Sequence, residues 1–327
     1  MPDRCDTRWM SAAISLAARG EGLTRPNPNV GCLIVTDGRV VGRGWTQAGG
    51  RPHAEAMALA GAGDSARGAT AYVTLEPCAH ASTRGPACAD SLIAAGLARV
   101  VVATTDPDPR TNGEGIARLR AAGIRVDCGV GEVAARAAMP GWWSRVTRTR
   151  PFVTLKLATS LDGAIAMASG ESRWITADRA RAHAHLLRAR CDAILVGRGT
   201  FDADRPALDV RLPGLEFRSP VRFVLTSSPL PASASGWTSL ARPDAIKDHA
   251  TVQHLLVEGG AGTAAAFLAG GLVDRLILYR APILIGGGRP CLGDIGLASL
   301  SDAHGQWQLA GARQFGPDRV EIYQRDG

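Results

Sequence analysis

Pro52-His53-Ala54-Glu55, taken together with Glu76-Pro77-Cys78 and Cys88, is the stretch on which the reading of this chain turns. An imidazole and two thiolates are three donors that suit zinc, and three protein ligands leave a fourth position for water, as in a catalytic site. Glu55, two residues beyond the histidine, is not needed as a ligand. It is placed to take a proton from that water and pass it to a leaving amine. His-x-Glu followed by Pro-Cys and a second Cys is the signature of zinc deaminases that act on bases. The competing reading is a capped helix start with two buried cysteines, which leaves Glu55 without a purpose.

The elements around this stretch read as an α/β layer fold. Residues 7–19 predict an amphipathic helix with Met10, Ala13, Ile14 and Ala17 on one face. In Arg25-Pro26-Asn27-Pro28-Asn29-Val30-Gly31 two prolines and two asparagines disfavour helix and strand, so a stiff loop follows. That loop is either a plain turn or an amide-bearing wall for a heterocycle, with Asn27 the candidate substrate contact. A hairpin is expected from residue 32 to 42 around Asp37-Gly38, and a helix from 53 to 62 with Pro52 at a favourable start. Strands at 69–75, 100–104 and 124–128 alternate with helices at 88–95 and 114–122. The alternation places His53, Cys78 and Cys88 at helix starts beside strand ends.

Bulk properties narrow the class. The chain has 327 residues, 46% hydrophobic and 20% charged, which is room for two ordinary globular domains. Met1 to Cys5 carries acid and no apolar core, so no signal peptide is expected, and no apolar run reaches the roughly 20 residues of a membrane helix. Seven scattered cysteines fit reduced thiols in a cytoplasmic protein, two of them spent on metal. The net charge of +7 and pI near 9.4 raise nucleic-acid binding. The arginines are spread out, with a modest cluster at Arg145, Arg148 and Arg150, and aromatics are 5% of the chain. A solvated surface with a few phosphate-binding arginines is the better reading, with neither nucleic acid nor membrane as partner.

In the second half, Met139 to Arg150 reads as a connector broken by Pro140-Gly141, and Phe152 starts a new strand pattern. The boundary is set near residue 149, giving domains 1–148 and 149–327. Strands are expected at 193–197, 221–226 and 255–257, and helices at 178–190 and 263–268. Glu258-Gly259-Gly260-Ala261-Gly262 lies between a strand and a helix. Such a turn lets backbone approach a phosphate, although a glycine-rich turn alone is a weak signal.

Pro26 to Gly31, Pro52 to Glu55 and Thr74 to Cys78 resemble the deaminase half of the bifunctional riboflavin-pathway deaminase/reductase family. Lys156 to Gly163, Ala168 to Trp174, Gly197-Arg198-Gly199-Thr200 and Val257 to Gly260 resemble its reductase half. The resemblance implies a cytidine-deaminase-like three-layer α/β domain followed by a dihydrofolate-reductase-like α/β domain. It implies zinc on His53, Cys78 and Cys88 with Glu55 catalytic, acting on a diaminopyrimidinone ribosyl phosphate. It then implies reduction of the ribosyl group to ribityl by NADPH, and possible self-association. Ala158, Trp174, Thr200, Asp204, Ser227 and Gly260, Ala261, Gly262 and Thr263 would touch NADPH. Ser172, Arg188, Leu208, Arg211 and Glu258 would hold the small-molecule substrate.

The chain departs from the family in three places. The loop from Ala79 to Ala87 is one residue longer, with His80 and Arg84 candidates for the phosphate. Arg205 stands where a second Asp is usual. Only 31 positions separate Ser227 from Glu258, and Ser233 to Asp248 reads as mostly irregular where the family has a further strand and helix. Two rivals therefore stay open: a deaminase whose second domain binds without reducing, and a nucleic-acid-editing deaminase.

Overall fold

The computed structural model describes residues 4–80 and 84–325, so Ala81-Ser82-Thr83 of the long cysteine loop lies outside the described residues. The chain forms two compact units, Met1–Thr149 and Arg150–Gly327.

The first unit runs α1 (Arg4–Ala17), β1 (Gly31–Thr36), β2 (Arg39–Trp45), α2 (Ala54–Ala62), β3 (Thr70–Val73), α3 (Cys88–Ala94), β4 (Arg99–Val102), α4 (Glu114–Ala121), β5 (Arg125–Cys128), α5 (Glu132–Ala138) and α6 (Pro140–Arg148). Its strands lie in the order β2-β1-β3-β4-β5, with β3, β4 and β5 parallel and β1 antiparallel to both neighbours. The hairpin turns at Asp37 and Gly38, whose φ angles of 51° and 71° suit an Asp-Gly pair. Alternation along β1 sorts the core onto two faces. Cys32 and Ile34 pack with Ala58, Leu92 and Leu119, whereas Leu33 and Val35 pack with Met10, Ala13 and Ala135. Helices thus cover both faces of the sheet, the three-layer deaminase-like architecture expected from the sequence.

One expectation fails here. Met139 to Arg150 is no broken connector, because α6 starts at Pro140. Proline is favourable at a first helical position, where its missing N–H costs nothing. The helix buries Trp142 in the core shared with α2, α3 and α4.

The second unit contains β6 (Phe152–Thr159), β7 (Ala164–Ala166), α7 (Asp178–Ala189), β8 (Ala193–Gly197), α8 (Arg198–Asp204), β9 (Val221–Leu225), β10 (Trp237–Leu240), β11 (His254–Val257), α9 (Ala261–Ala269), β12 (Arg275–Arg280), β13 (Arg289–Pro290), β14 (Trp307–Phe315) and β15 (Asp318–Arg325). The large sheet has the order β10-β9-β8-β11-β6-β12-β15-β14. It is parallel from β10 to β12, and β15 is antiparallel to both its neighbours. Leu195 packs with Phe267 of α9 on one face, and Ile194 packs with Phe201 of α8 on the other.

The segment read as irregular is also corrected. Trp237 to Leu240 pairs with β9, and a short 3-10 helix, Pro243–Asp248, carries the chain back toward β11. Ile246 of that helix and Leu240 are buried in the core. Two buried side chains suffice to seat this abbreviated crossover, and so few apolar positions left no periodic signal. Among the described residues no helix is long and apolar enough to cross a membrane.

Candidate active sites

In the first unit, glycines bring the ligand-bearing helix onto the sheet. A Cβ on Gly44 would meet the Ala54 carbonyl at 2.0 Å, and one on Gly42 the Ala58 carbonyl at 2.1 Å, so α2 lies directly on β2. His53 is the N-cap of α2 with extended backbone, and Glu55 lies in the first turn. Cys88 opens α3. Cys78, expected at a helix start, instead follows β3 in an irregular segment. Pro77 excludes a donor there, and the Cys78 carbonyl accepts the Ala89 N–H at 3.2 Å, which ties this segment to α3.

The three expected ligand side chains converge. His53 Nδ1 is 3.2 Å from Cys88 Sγ and 3.7 Å from Cys78 Sγ, and the three donor atoms all lie within 4.8 Å of one another. A tetrahedral zinc site with ordinary bond lengths sets such donors about 3.5–3.8 Å apart, so the set fits the metal. The Cys88 contact and His53 outweigh burial and hold the Cys78 thiol down at about 4, while the same thiol–thiol contact and burial push Cys88 up. On the outer side of the ring, the Asn27 amide nitrogen is 3.0 Å from His53 Nε2 and donates to the Gly50 carbonyl at 2.9 Å. Asn27 thereby packs its side-chain amide against the outer edge of the imidazole.

Glu55 is buried beside the thiols, and burial raises its carboxyl pKa above the usual value. It shares a cavity of about 370 Å³ with Asn27, His53, Cys78, His80, Arg84, Asp106 and Trp142. Glu76, part of the same sequence motif, has a different task. Its carboxylate accepts the backbone N–H groups of Asp106, Gly113, Gly115 and Ile116 at 2.9–3.1 Å. It clamps the start of α4, and with it the Asp106 loop, against the segment that carries Cys78. A Cβ on Gly115 would stand 1.9 Å from the Pro77 carbonyl, so only glycine allows this approach. Asp106 lies in the cavity wall, where burial and the nearby carboxylates push its carboxyl up to about 7. Sequence reading missed Asp106. Its only trace was a loop with two Asp-Pro pairs.

The second unit holds a cavity of about 480 Å³. Ala158, Ser172, Trp174, Arg188, Thr200, Asp204, Leu208, Arg211 and Glu258 all line it. Ser227 and Gly260 to Thr263 are not among the lining residues. Gly260 is nonetheless close: a Cβ there would be 3.9 Å from Thr200 Oγ1. At the cavity, Arg188 grips Glu258 with two bonds of 2.8 and 2.9 Å and donates to the Asp209 carbonyl at 3.1 Å. Arg211 is the exposed arginine of the expected pair, with Nε 3.5 Å from Asp209 Oδ1.

Lys156 was quoted in the sequence motif but not singled out. Its ammonium is 3.8 Å from Glu258 Oε2 and 5.5 Å from the Tyr279 ring centroid. Burial lowers the Lys156 pKa, with Arg188 adding to the effect and Glu258 opposing it. Burial alone would raise Glu258, but Arg188 and Lys156 overcome it and hold the carboxyl at about 2. A lysine at an intermediate strand position, flanked by apolar neighbours, was the available signal. Asp204 pairs with Arg173 at 3.2 Å, and the exposed Trp174 ring lies under Arg181 at 4.7 Å.

Residues 151–320 match the family described as RibD C-terminal domain, and residues 3–104 match the cytidine and deoxycytidylate deaminase zinc-binding region. The riboflavin biosynthesis protein RibD of Escherichia coli is 41% identical, with 96% of this chain and 97% of that protein covered. That of Aquifex aeolicus is 39% identical, with 91% and 92% covered. Among solved structures, Acinetobacter baumannii RibD superposes with a TM-score of 0.89 at 36% identity, over 99% of both chains. A Thermotoga maritima diaminohydroxyphosphoribosylaminopyrimidine deaminase/5-amino-6-(5-phosphoribosylamino)uracil reductase gives 0.88 at 30% identity, covering 98% of this chain and 99% of that one.

Proposed function

The chain belongs to the RibD family of riboflavin biosynthesis proteins, and from that premise we propose how its residues divide two reactions. It is a bifunctional deaminase and reductase of riboflavin biosynthesis, with a zinc-binding deaminase domain and a reductase domain. The substrate of the first step is a diaminopyrimidinone ribosyl phosphate, the class named for the Thermotoga relative.

In the deaminase cavity, His53, Cys78 and Cys88 would hold zinc, with the Asn27 amide packed against the outer edge of the imidazole. Bound zinc supplies a Lewis acid that brings the pKa of water down to about 7. Glu55 takes the proton as water oxygen adds to the amine-bearing carbon. It returns that proton to the nitrogen as the carbon–nitrogen bond breaks and ammonia leaves. Burial of Glu55 favours this exchange, because a carboxyl with raised pKa holds a proton more readily between the two steps. The observation that carries this assignment is the convergence of three donor atoms within 4.8 Å beside a buried carboxyl. Purified protein should hold about one zinc per chain, lose ammonia release on chelation and regain it with added zinc. Activity that survives complete metal removal would refute the assignment.

For the reductase cavity the cofactor is NADPH, which supplies the hydride when bound. Ala158, Trp174, Thr200 and Asp204, which line that cavity, would contact it; Ser227 and Gly260 to Thr263 lie outside the lining and are carried by the resemblance alone. Ser172, Leu208 and Arg211 hold the deaminated product. Arg211 takes the phosphate, because the Arg188 fork is already filled by Glu258. A proton must accompany the hydride, to the sugar oxygen that becomes a hydroxyl as the ring opens. The Lys156–Glu258 pair holds that proton. The seated crossover at β10 supports a working reductase over a binding-only domain.

A further inference from the structure

The deaminase cavity has a cationic rim that the proton chemistry above does not use. Arg51, from the turn before α2, and Arg84, from the segment between the two cysteines, both line the cavity. Each reaches toward the segment that carries the other. Arg51 Nη1 lies 3.4 Å from where a Cβ on Gly85 would stand, and Arg84 Nη1 points at the Gly49 carbonyl at 3.5 Å. Among the described residues Arg51 Nε is sealed from solvent with no acceptor, and no carboxylate pairs with the guanidinium.

The carboxylates that share the cavity are committed elsewhere. Arg110 holds Asp108 with bonds of 2.9 and 3.1 Å from its Nε. Four backbone N–H groups saturate Glu76. Glu55 is buried beside the thiols, and Asp106 is bonded to the Asp108 N–H at 2.8 Å. A sealed donor without an acceptor is costly, so this arginine is held against a local penalty. A guanidinium in the cavity wall with no carboxylate partner among the described residues suits an arriving dianion, and the planar N–H fork of arginine matches phosphate oxygens. Gly85, at φ 140°, keeps side-chain bulk away from Arg51.

We infer that Arg51 holds the phosphate of the ribosyl phosphate substrate in the deaminase cavity and so sets that step's preference for a phosphorylated substrate. This rests on the deaminase reading, because it places the substrate's anionic end in the same cavity as His53.

The test uses the zinc-loaded full chain and reads ammonia release. With R51Q, KM for the phosphorylated substrate should rise about 10- to 100-fold while kcat stays within about threefold, the size expected for one charge-assisted contact. The inhibition constant of ribose 5-phosphate, read against ammonia release, should rise by the same factor. The dephosphorylated substrate should be turned over equally by both proteins. R51K should recover part of the loss, and zinc content should be unchanged. An unchanged KM and inhibition constant would overturn the inference. A fall in kcat alone, or loss of zinc, would also overturn it by making Arg51 a support of the metal site. A wild-type chain that releases no ammonia would instead sink the deaminase reading, and this inference with it.

Discussion

In the first unit, 35 positions of chain, from His53 to Cys88, supply every expected metal ligand and the proton carrier. In the second, the central charges Lys156, Arg188 and Glu258 come from β6, α7 and the end of β11, and span 102 positions. The two cavities also differ in what their charges do before a ligand arrives. Lys156 and Arg188 already neutralise Glu258. The deaminase donors have no such internal partner: three metal-binding atoms face one another, and Arg51 stands without a counter-ion among the described residues. One cavity is organised to receive charge from outside. The other carries an ion cluster already paired within the fold, in which Glu258 meets both Lys156 and Arg188. Because each cavity is lined by residues of one unit, each can be disabled alone.

The largest effect should come from Glu55→Gln. Ammonia release should fall about 10²–10⁴-fold, the usual worth of a general acid–base group. Zinc content and reduction of pre-deaminated substrate should stay normal, as read by metal analysis and NADPH absorbance. An equal fall in both reactions would erase the division of labour. The mirror experiment is Lys156→Met, expected to slow reduction about 10²-fold with ammonia release untouched. A normal reduction rate would remove Lys156 from the chemistry.

A smaller, structural effect should separate Glu76 from Glu55, its companion in the sequence motif. Glu76→Ala leaves four backbone amides without an acceptor and should cost about 3 kcal/mol. Hydrogen exchange should speed up at Gly113, Gly115 and Ile116, whereas Glu55→Gln should leave those amides unchanged. The least effect is a pH dependence in the reductase unit. The Glu258 pKa is about 2 in the fold against 4.5 for the free group. A depressed carboxyl contributes stability that is complete above the higher value and is lost as pH falls toward the lower. Acid unfolding between pH 4.5 and 2 should therefore be blunted in Glu258→Gln, which is less stable than wild type at neutral pH because Arg188 is left buried without its partner.

These contrasts also explain what could be read from the sequence. Zinc tolerates few donor types and needs them close together, so His53, Cys78, Cys88 and Glu55 stand out in the residues alone. The layered fold was legible because Asp37-Gly38 marks a hairpin turn and helices fall between short apolar strands. Pro140 misled because proline both ends helices and starts them, and only the burial of Trp142 decides between the two. Lys156 was invisible as a site residue because its partners become neighbours only through strand order. Glu76 was legible as part of a motif but not as a clamp, since backbone amides carry no sequence signature. Strands β12, β14 and β15 went unread for a related reason. β14 is mostly exposed, with Leu309 and Phe315 isolated among polar or small neighbours, and its place is set by pairing with β15.

The most direct test of two separately organised cavities is to supply the diaminopyrimidinone ribosyl phosphate with and without NADPH and weigh the products. Without NADPH, the expected product has exchanged one amine for oxygen and kept its sugar ring. With NADPH, it has in addition gained a hydride and a proton and opened that ring. A substrate returned unchanged in the absence of NADPH would contradict the account, because the first cavity would then depend on the second.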